Sequence, residues 1–310
     1  MANQTISAHE FLRLGQLDEA LASLKQDVQS DPADAKHRIF LFQLLSVFGK
    51  WDSAVKQLEI SGDLDPANLA MVQAYREAIR CEQQRQRIFR GEESPLILGE
   101  PDEWLALLIE SLKQHAAGNG AEAASLRGTA MEAAPTTSGQ LTLADESTSD
   151  FEWVADADPR MGPVLEALLN GQYYWIPMHR IAQIDFEAPA DLRDFVWTPI
   201  QLTLATGVQT VAMVPTRYFQ SEATNDSAIR LARKTDWQNV PGDDAQFGLG
   251  QRMIATDADD FALLDLRRIS LNVEMDATDE EATQTAEEGD LVPNMSVGLT
   301  AKPPSANESV

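Results

Sequence analysis

The stretch RMGPVLEALLNGQYYWIPMHRIAQIDFEAPADLRDFVW, residues Arg160 to Trp197, carries the densest turn and strand signals of the chain. Asn170-Gly171 separates two apolar runs, VLEALL and QYYWIP. Because both residues tolerate positive φ, Asn-Gly favours the two-residue turn of a β-hairpin. A helix over Val164–Leu169 is the alternative, since Leu, Glu and Ala form helices well. We predict the hairpin, because the aromatic residues of Tyr173–Ile176 suit its second strand.

The same alternation of apolar and polar residues continues on either side of this hairpin. Residues 195–216 contain no charged side chain, but their alternation, with Pro199 and Gly207, predicts a second hairpin rather than a membrane-spanning helix. That hairpin should turn near Thr206-Gly207. Further strands are predicted at Gln183–Glu187 and near 253–256 and 262–272. Five to seven short strands over residues 151–272 favour a small, closed or nearly closed barrel, SH3-like in size, because closure removes exposed edges.

The chain before residue 134 has a helical pattern with an internal repeat. Residues 15–24, GQLDEALASL, match residues 49–58, GKWDSAVKQL, 34 positions later, and Asp31-Pro32 recurs as Asp65-Pro66. A 34-residue period with Gly and Ala at fixed places is typical of tetratricopeptide repeats. Residues 1–134 are therefore predicted to form an all-α, tetratricopeptide-like superhelix, with later helices at Asn68–Arg90, Asp102–His115 and Ala121–Ala134. With the barrel that follows, the fold class is α+β and multidomain.

Two polar segments flank the predicted barrel. Residues 135–150 are rich in Thr, Ser and acidic residues and are predicted to be a solvated linker. Residues 273–310 form an acidic tail with few large apolar groups. Such a tail cannot bury enough surface to offset its ordering entropy, so disorder is predicted.

Charge limits the classes of partner. Lys and Arg total 24 against 49 Asp and Glu, so the net charge is −25. Binding of nucleic acid or anionic lipid depends mainly on Lys and Arg, so neither partner is expected. The Arg cluster of the third helix is interleaved with Glu77 and Glu82 and is predicted to be a solvated face. It comprises Arg76, Arg80, Arg85, Arg87 and Arg90.

Catalytic and metal-binding patterns are weak. The four histidines, His9, His37, His115 and His179, are scattered, and Cys81 has no partner for a disulfide. Neither HExxH nor CxxC occurs, and GLGQR at 248–252 is not a GxGxxG loop. No cofactor, no metal site and no catalytic residue is predicted. The first fifteen residues lack the basic start and apolar run of a secretory signal, which favours a cytoplasmic location.

Arginine and aspartate pairs recur in the second half of the chain. Structural ion pairs are the favoured interpretation, since a buried arginine needs a partner. The arginines are Arg160, Arg193, Arg233, Arg252 and Arg267, and their candidate partners are Asp158, Asp194, Asp236 and Asp265. The alternative is a small-molecule-binding or hydrolytic site, which would require Arg193, Asp194, Trp197 and Arg233 to converge in a deep pocket.

The aromatic residues also permit two interpretations. Strand alternation sends Tyr173 and Trp175 to one face and Tyr174 to the other. All of them, with Trp197, could fill the barrel core, which is the favoured interpretation. An aromatic residue that stays outside would instead anchor a peptide beside an arginine. The candidate partner-binding residues are therefore Tyr174, Trp175, Arg180, Arg193 and Trp197.

Several sequence blocks occur together in an order that resembles one family. They are DADPRMGP (156–163), Glu166, NGQYYWIP (170–177), Arg180-Ile181, DLRDFVW (191–197), RKTDW (233–237), GLGQR (248–252) and LLDLRRI (263–269). With them the chain resembles the ImpE/TagJ, or SciE-type, family of type VI secretion accessory proteins over most of residues 8–270. The structural signature residues are Arg160, Gly162, Pro163, Asn170, Gly171, Asp194, Trp237 and Arg252.

The resemblance implies a function that composition and periodicity do not give. It implies a non-enzymatic, cytoplasmic accessory or adaptor protein that binds a short N-terminal segment of the small sheath subunit TssB. It also implies a link between the sheath and its disassembly by the ATPase ClpV, with direct contact to ClpV left open. A generic tetratricopeptide chaperone-like scaffold is a further alternative. The sequence leaves open the oligomeric state, the binding surface and the role of the acidic tail.

Overall fold

Helices form the first part of the chain, and consecutive helices pack against one another. The computed structural model describes residues 6–274. The helices are α1 (Ala8–Arg13), α2 (Leu17–Ser30), α3 (Ala35–Val47), α4 (Trp51–Leu64), α5 (Leu69–Phe89), α6 (Glu103–Ala116) and α7 (Gly120–Ala133). The three later helices predicted from the sequence correspond to α5, α6 and α7. A helical N-terminal region is thus confirmed.

The 34-residue repeat gives two equivalent helix turns. Gly15 and Gly49 both adopt the left-handed backbone conformation, with φ of 75° and 64°, between consecutive helices. Glycine suits this position because it has no Cβ to clash there. Ala20 and Ala54, each five residues further on, are fully buried. Their small side chains let neighbouring helices approach closely.

The second part of the chain is mainly strands. They are β1 (Leu96–Ile97), β2 (Gly139–Leu143), β3 (Thr148–Phe151), β4 (Val154–Asp156), β5 (Val164–Leu169), β6 (Gln172–Pro177), β7 (Ile181–Phe186), β8 (Trp197–Leu204), β9 (Gln209–Pro215), β10 (Thr235–Asn239), β11 (Gln246–Gly250), β12 (Met253–Thr256), β13 (Asp260–Ala262) and β14 (Leu266–Leu271). A short helix, α8 (Ser227–Arg230), precedes β10. The main sheet has the order β1-β6-β5-β9-β8-β7-β14-β2-β3. Strands β10 and β11 form a separate hairpin, and β13-β12-β4 form a third sheet.

Both predicted hairpins are confirmed. Strands β5 and β6 pair antiparallel around Asn170-Gly171, whose φ angles are 50° and 70°. The alternative helix over Val164–Leu169 is wrong. Strands β8 and β9 pair antiparallel, and Gly207 in their connection has a φ of 83°. The residues of each turn therefore set the register in which the two strands of each hairpin pair.

The predicted SH3-like barrel is not confirmed, and the predicted linker contains strands. The main sheet is open, because β1 and β3 lie at its two ends. Residues 139–143 and 148–151, expected in the linker 135–150, form β2 and β3. Strand β2 pairs with β14, and β3 extends the sheet beyond it. Buried Leu141 and Phe151 supply the apolar positions that make these polar strands part of the sheet.

The two faces of the main sheet contribute to two different hydrophobic cores. Along β5, Val164 and Leu168 pack with the helices, whereas Leu165, Ala167 and Leu169 belong to a second core on the opposite face. This alternation follows from the two-residue period of a strand. We call the first cluster the junction core and the second the sheet core. The described residues form one compact unit, in which helices and sheet share the junction core.

Two predictions concern features outside this core. Within residues 6–274, no helix combines the length and apolar character that crossing a membrane requires. The predicted acidic tail, residues 273–310, lies outside the described residues from residue 275 onward.

Candidate functional site

The junction core contains a network of buried charges centred on Glu166. This residue lies on β5 between Val164 and Leu168, so strand alternation directs its side chain toward α5. Its side chain is 0% exposed. A carboxylate in such a place requires cationic partners, because removing an ion from water is costly.

Two arginines and one tyrosine supply these partners. Arg85 of α5 donates from Nε to Glu166 Oε1 at 2.6 Å and from Nη2 to Oε2 at 3.1 Å. Arg252 donates to Glu166 Oε2 from the other side, and the Tyr173 hydroxyl donates to Oε1. The Trp175 indole in turn donates to the Tyr173 oxygen at 2.8 Å. Glu166 thus joins a helix, its own hairpin and the segment after β11.

Arg252 extends the network to Asp156 at the end of β4. Its Nη1 donates to the Asp156 carboxylate, and its Nε donates to the Pro215 carbonyl at 3.0 Å. The guanidinium lies 5.3 Å from the centroid of the Tyr218 ring. Both charged side chains are 1% exposed. The predicted structural role of Arg252 is consistent with these contacts, which bring β4, β5 and β9 together.

Burial and neighbouring charge shift the pKa values of this network in opposite directions. Burial raises the pKa of Glu166, but Arg85 and Arg252 outweigh it and lower that pKa to about 2. Burial dominates at Asp156 and raises its pKa to about 6, despite the attraction of Arg252. Burial also raises the pKa of Glu82, one turn before Arg85. Glu166 therefore stays ionised to a lower pH than Asp156 does.

A further buried arginine, Arg217, binds the end of a helix instead of a carboxylate. Its Nη1 donates to the Val47 carbonyl at 2.9 Å and to the Arg230 carbonyl at 2.6 Å. Val47 is the last residue of α3, whose carbonyl groups carry a partial negative charge. Arg217 thus attaches the strand segment after β9 to the helical region.

The charged groups of the network are not available for a chemical reaction. The cationic and anionic groups around Glu166 bind one another, which leaves them satisfied. Residues 6–274 contain no group of three or more His, Cys, Asp and Glu residues placed to hold a metal ion. Burial raises the pKa of the Cys81 thiol to about 12, so it stays protonated near neutral pH. The arrangement holds the helices on the sheet.

Comparisons with known proteins identify the family. The family model described as ImpE protein matches residues 148–270. The chain is 47% identical over 262 residues to the type VI secretion system accessory component TagJ of Pseudomonas aeruginosa, covering 84% of this chain and 90% of that protein. The chain belongs to the ImpE/TagJ family. The fold is also similar to the crystal structure of protein VPA1032 from Vibrio parahaemolyticus, with a TM-score of 0.76 and 24% identity over 85% of this chain and 97% of that one.

In this ImpE/TagJ chain the two tryptophans predicted as partner-binding candidates lie in the junction core. Trp175 and Trp197 are fully buried. The Trp197 ring lies 5.9 Å from that of Trp51 and 5.8 Å from that of Tyr75, both on helices. The prediction that they are exposed anchors is wrong, because the helices cover them. The favoured interpretation, a barrel core, is correct only in that both are buried, since they pack between the helices and the sheet.

The other three candidates lie closer to the surface but have partners within the chain. Arg180 donates to the Leu98 carbonyl at 2.6 Å and to Asp102 at 3.1 Å, which holds the loop before α6. Arg193 pairs with Asp191, and its guanidinium lies 4.7 Å from the centroid of the Tyr75 ring. Tyr174 is half-buried and packs against the sheet core on the face opposite Tyr173 and Trp175, as alternation predicts.

The predicted arginine pairs are correct in part. Arg160 pairs with Asp158, as expected. Arg193 pairs with Asp191 instead of Asp194. Asp194 accepts from the backbone N–H groups of residues 190 and 191 at 2.7 and 3.0 Å and so closes its own turn. For Arg193, the carboxylate two positions earlier is a better partner than the carboxylate of the adjacent residue.

Arg233 and Arg267 bind backbone carbonyl groups. Arg233 donates to the Leu12 carbonyl at 3.2 Å, and Arg267 donates to the Leu264 carbonyl at 3.0 Å. The predicted partners Asp236 and Asp265 do not pair with these two arginines. The hypothetical pocket of Arg193, Asp194, Trp197 and Arg233 gains no support either, because Arg233 reaches α1 whereas Arg193 and Trp197 contact Tyr75.

The remaining signature residues shape the backbone around the network. Gly162 has a φ of 55° just before β5, and the Pro163 carbonyl accepts from the Met178 N–H at 2.9 Å. The Trp237 ring of β10 lies 5.7 Å from that of Tyr218. Together they position β5, β6 and β10.

Sequence reasoning did not predict that the two residues that matter most here are buried and paired. Arg85 is 4% exposed, although its helix cluster was predicted to be solvated. Glu166 was not among the candidate site residues, yet it occupies an inward position in the apolar strand VLEALL. A single acidic residue in a strand buried on both faces is the signal that could have indicated a buried ion pair.

Proposed function

We propose that this chain is a non-enzymatic, cytoplasmic accessory protein of type VI secretion, which binds an N-terminal segment of the sheath subunit TssB and couples the sheath to ClpV-dependent disassembly. The observation that carries the proposal is the 47% identity to the accessory component TagJ, over 84% of this chain and 90% of that protein. Similarity of this extent over nearly the whole length favours a shared role.

The structure supports a protein that acts through its outer surface. The buried charges of the junction core bind one another and hold the helices on the sheet. The side of α5 that carries Tyr75 and Arg85 packs on the sheet, so a partner peptide cannot use it. The opposite, outward surface of the helix pairs stays available for a tetratricopeptide-like contact.

Exposed apolar side chains on the helices suggest where the TssB segment docks. Leu69 at the start of α5 is 56% exposed, and Leu64 at the end of α4 is 39% exposed. The short connection between these helices brings the two side chains to one end of the stack. An amphipathic segment of TssB would bury its apolar face there.

The direct test measures binding of the TssB N-terminal peptide to the full-length protein by isothermal titration calorimetry. We expect Leu69→Asp to weaken binding by at least about tenfold, because it places a charge in the apolar contact. Val211→Asp is the matched control, since Val211 is 73% exposed but lies on β9 of the sheet. An equal loss in both variants, or no binding by the unaltered protein, would reject the helical docking site.

The link to ClpV has a separate test. Sheath disassembly is followed by fluorescence microscopy of a labelled sheath in cells that lack the protein and in cells that express it or its Leu69→Asp variant. We expect longer-lived contracted sheaths without the protein and with the variant. Unchanged sheath lifetimes in both strains would contradict the proposed coupling.

A further inference from the structure

The connection between β9 and β10, residues 216–234, contacts the turn that joins α1 to α2. We call this connection the clamp segment. The Leu12 carbonyl accepts the Gly15 N–H within the turn at 3.0 Å, and it also accepts an N–H of the Arg233 guanidinium at 3.2 Å. The last carbonyl groups of a helix lack an intrahelical partner and carry partial negative charge, so an arginine stabilises them. The clamp segment thus caps the first helix of the first repeat.

The clamp segment contacts the turn between α3 and α4 in the same way. The Ser46 carbonyl accepts the Gly49 N–H at 3.0 Å and an N–H of the Arg217 guanidinium at 3.4 Å. Arg217 also donates to the neighbouring Val47 carbonyl at 2.9 Å. Ser46 lies 34 positions after Leu12, which is the period of the repeat. A segment outside the repeats therefore binds the equivalent carbonyl group of both repeats.

The two contacts differ in how far they are buried. Arg217 is 4% exposed, whereas Arg233 is exposed. Phe48, directly after α3, is 9% exposed, and the Arg230 guanidinium lies 5.0 Å from the centroid of its ring. Leu14 occupies the equivalent place after α1 and is 53% exposed. The clamp segment therefore covers the second turn and leaves much of the first turn open to water.

The space around the two turn glycines shows the same difference. Both glycines have positive φ, 75° at Gly15 and 64° at Gly49. A Cβ added at Gly49 would overlap the Glu222 side chain of the clamp segment, whereas a Cβ added at Gly15 would lie 3.9 Å from Arg233 Nη1. Glu222 is held in place by a hydrogen bond from Gln86 of α5 at 3.2 Å. The second turn is thus packed closely against the clamp segment, and the first turn is not.

We propose that the clamp segment is a conformational device, which holds α3 and α4 permanently on the sheet and holds α1 and its turn through a contact that opens and closes. The Arg217 contact is permanent, because a buried charge leaves its carbonyl partners only at a large cost. Arg85 also donates to the Arg217 carbonyl at 3.1 Å, which joins this end of the clamp segment to the junction core. The Arg233 contact opens, because an exposed arginine exchanges a carbonyl for water at little cost.

Hydrogen exchange of the full-length protein, followed by mass spectrometry, tests the device. In Arg233→Ser we expect exchange of residues 6–16 to become about fivefold faster, the factor that the loss of one hydrogen bond gives. Exchange of residues 40–50 should stay unchanged, since the Arg217 contact remains. Lys234→Ser is the matched control, because Lys234 is also exposed but pairs at 2.7 Å with Asp226 of the clamp segment itself. This control should leave both peptides unchanged.

Three results would overturn the proposal: no faster exchange of residues 6–16 in Arg233→Ser, an equal increase in Lys234→Ser, or an equal increase in residues 40–50. The test is independent of TssB binding, because exchange is measured without a partner.

The two turn glycines provide a second measurement of the asymmetry. Gly49→Ala should lower the melting temperature more than Gly15→Ala, because Glu222 lies against Gly49. The positive φ of both glycines makes the backbone strain of the two substitutions comparable. Equal melting temperatures of the two variants would contradict the closer contact at the second turn.

Discussion

The junction core and the sheet core are both buried, but they are built from different kinds of side chain. The junction core surrounds the ion pairs of Glu166 with Arg85 and Arg252. The sheet core consists of apolar residues such as Ile184, Ile200 and Ile269. Hydrogen bonds and ion pairs require defined directions, whereas apolar packing mainly requires that volume be filled. The charged groups therefore fix how α5 lies on the sheet, and the apolar core stabilises the sheet itself.

The largest expected effect comes from removing the central charge of the junction core. Glu166→Gln keeps the shape of the side chain but leaves Arg85 and Arg252 without their shared counter-charge. We expect the free energy of unfolding to fall by about 3–5 kcal/mol, the usual cost of breaking a buried ion pair. Urea denaturation measures it. Glu93→Gln is the control, because Glu93 is 39% exposed in its pair with Arg87 and should cost at most about 1 kcal/mol. Equal losses would show that the buried network is no stronger than a surface pair.

A second test of the junction core concerns pH. Asp156 has a folded pKa raised to about 6 from 3.8. The folded state therefore binds this proton more tightly than the unfolded state, so the Asp156 contribution to stability is present below pH 4 and decreases as pH rises toward 6. The decrease corresponds to about 3 kcal/mol. Glu166 acts in the opposite sense, because its lowered pKa removes stability only as pH falls from 4.5 toward 2.

The variant Asp156→Asn isolates this contribution. We expect the difference in unfolding free energy between the unaltered protein and Asp156→Asn to change between pH 4 and 6. The difference should stay constant above and below that window. Chemical denaturation at a series of pH values measures both curves. Parallel curves across the window would mean that Asp156 titrates near its ordinary pKa in the folded protein.

The stability of the sheet core should depend only on how well its side chains fill the available volume. Ile269 is fully buried on β14, and Ile269→Val removes one methylene group. We expect a loss of about 0.5–1.5 kcal/mol, because the cavity is small. The midpoint of urea unfolding measures the loss, and its dependence on pH should match that of the unaltered protein. A loss as large as that of Glu166→Gln would remove the distinction between the two cores.

The smallest effect is expected outside both cores. Val211 on β9 is 73% exposed, and Val211→Thr keeps a β-branched side chain that strands favour. We expect a change within about 0.5 kcal/mol, the usual range for surface substitutions. Thermal denaturation is sufficient to measure it. A larger loss would indicate that Val211 packs against another surface in solution.

Features that depend on neighbouring residues could be predicted from the sequence. Asn170-Gly171 predicts one hairpin, and Gly207 predicts the other. The repeat that begins at Gly15 and Gly49 predicts the helix pairs. In each case the signal and the structure lie within a few residues of each other. Local chemistry is enough there, since turn type and amphipathic period are properties of short segments.

Features that depend on distant partners could not be predicted. Strand β2 is polar by composition and becomes a strand because it pairs with β14, near the other end of the described chain. Arg85 looks solvated on its helix and is buried because Glu166 lies across from it. Trp197 looks like a possible surface anchor until α4 and α5 cover it. The candidate partner-binding residues were therefore the least predictable part, since burial depends on which surfaces meet.

The contacts of Glu166 also have a consequence for how the protein is made. Arg85 precedes Glu166 by 81 positions, and Arg252 follows it by 86. A growing chain releases the helices from the ribosome long before the segment after β11 has been synthesised. Until then, α5 exposes an apolar face, and Arg85 has only Glu82 of its own helix as a counter-charge. The contacts of Glu166 can therefore be completed only after nearly the whole described chain has been synthesised, and contacts between such distant positions form slowly.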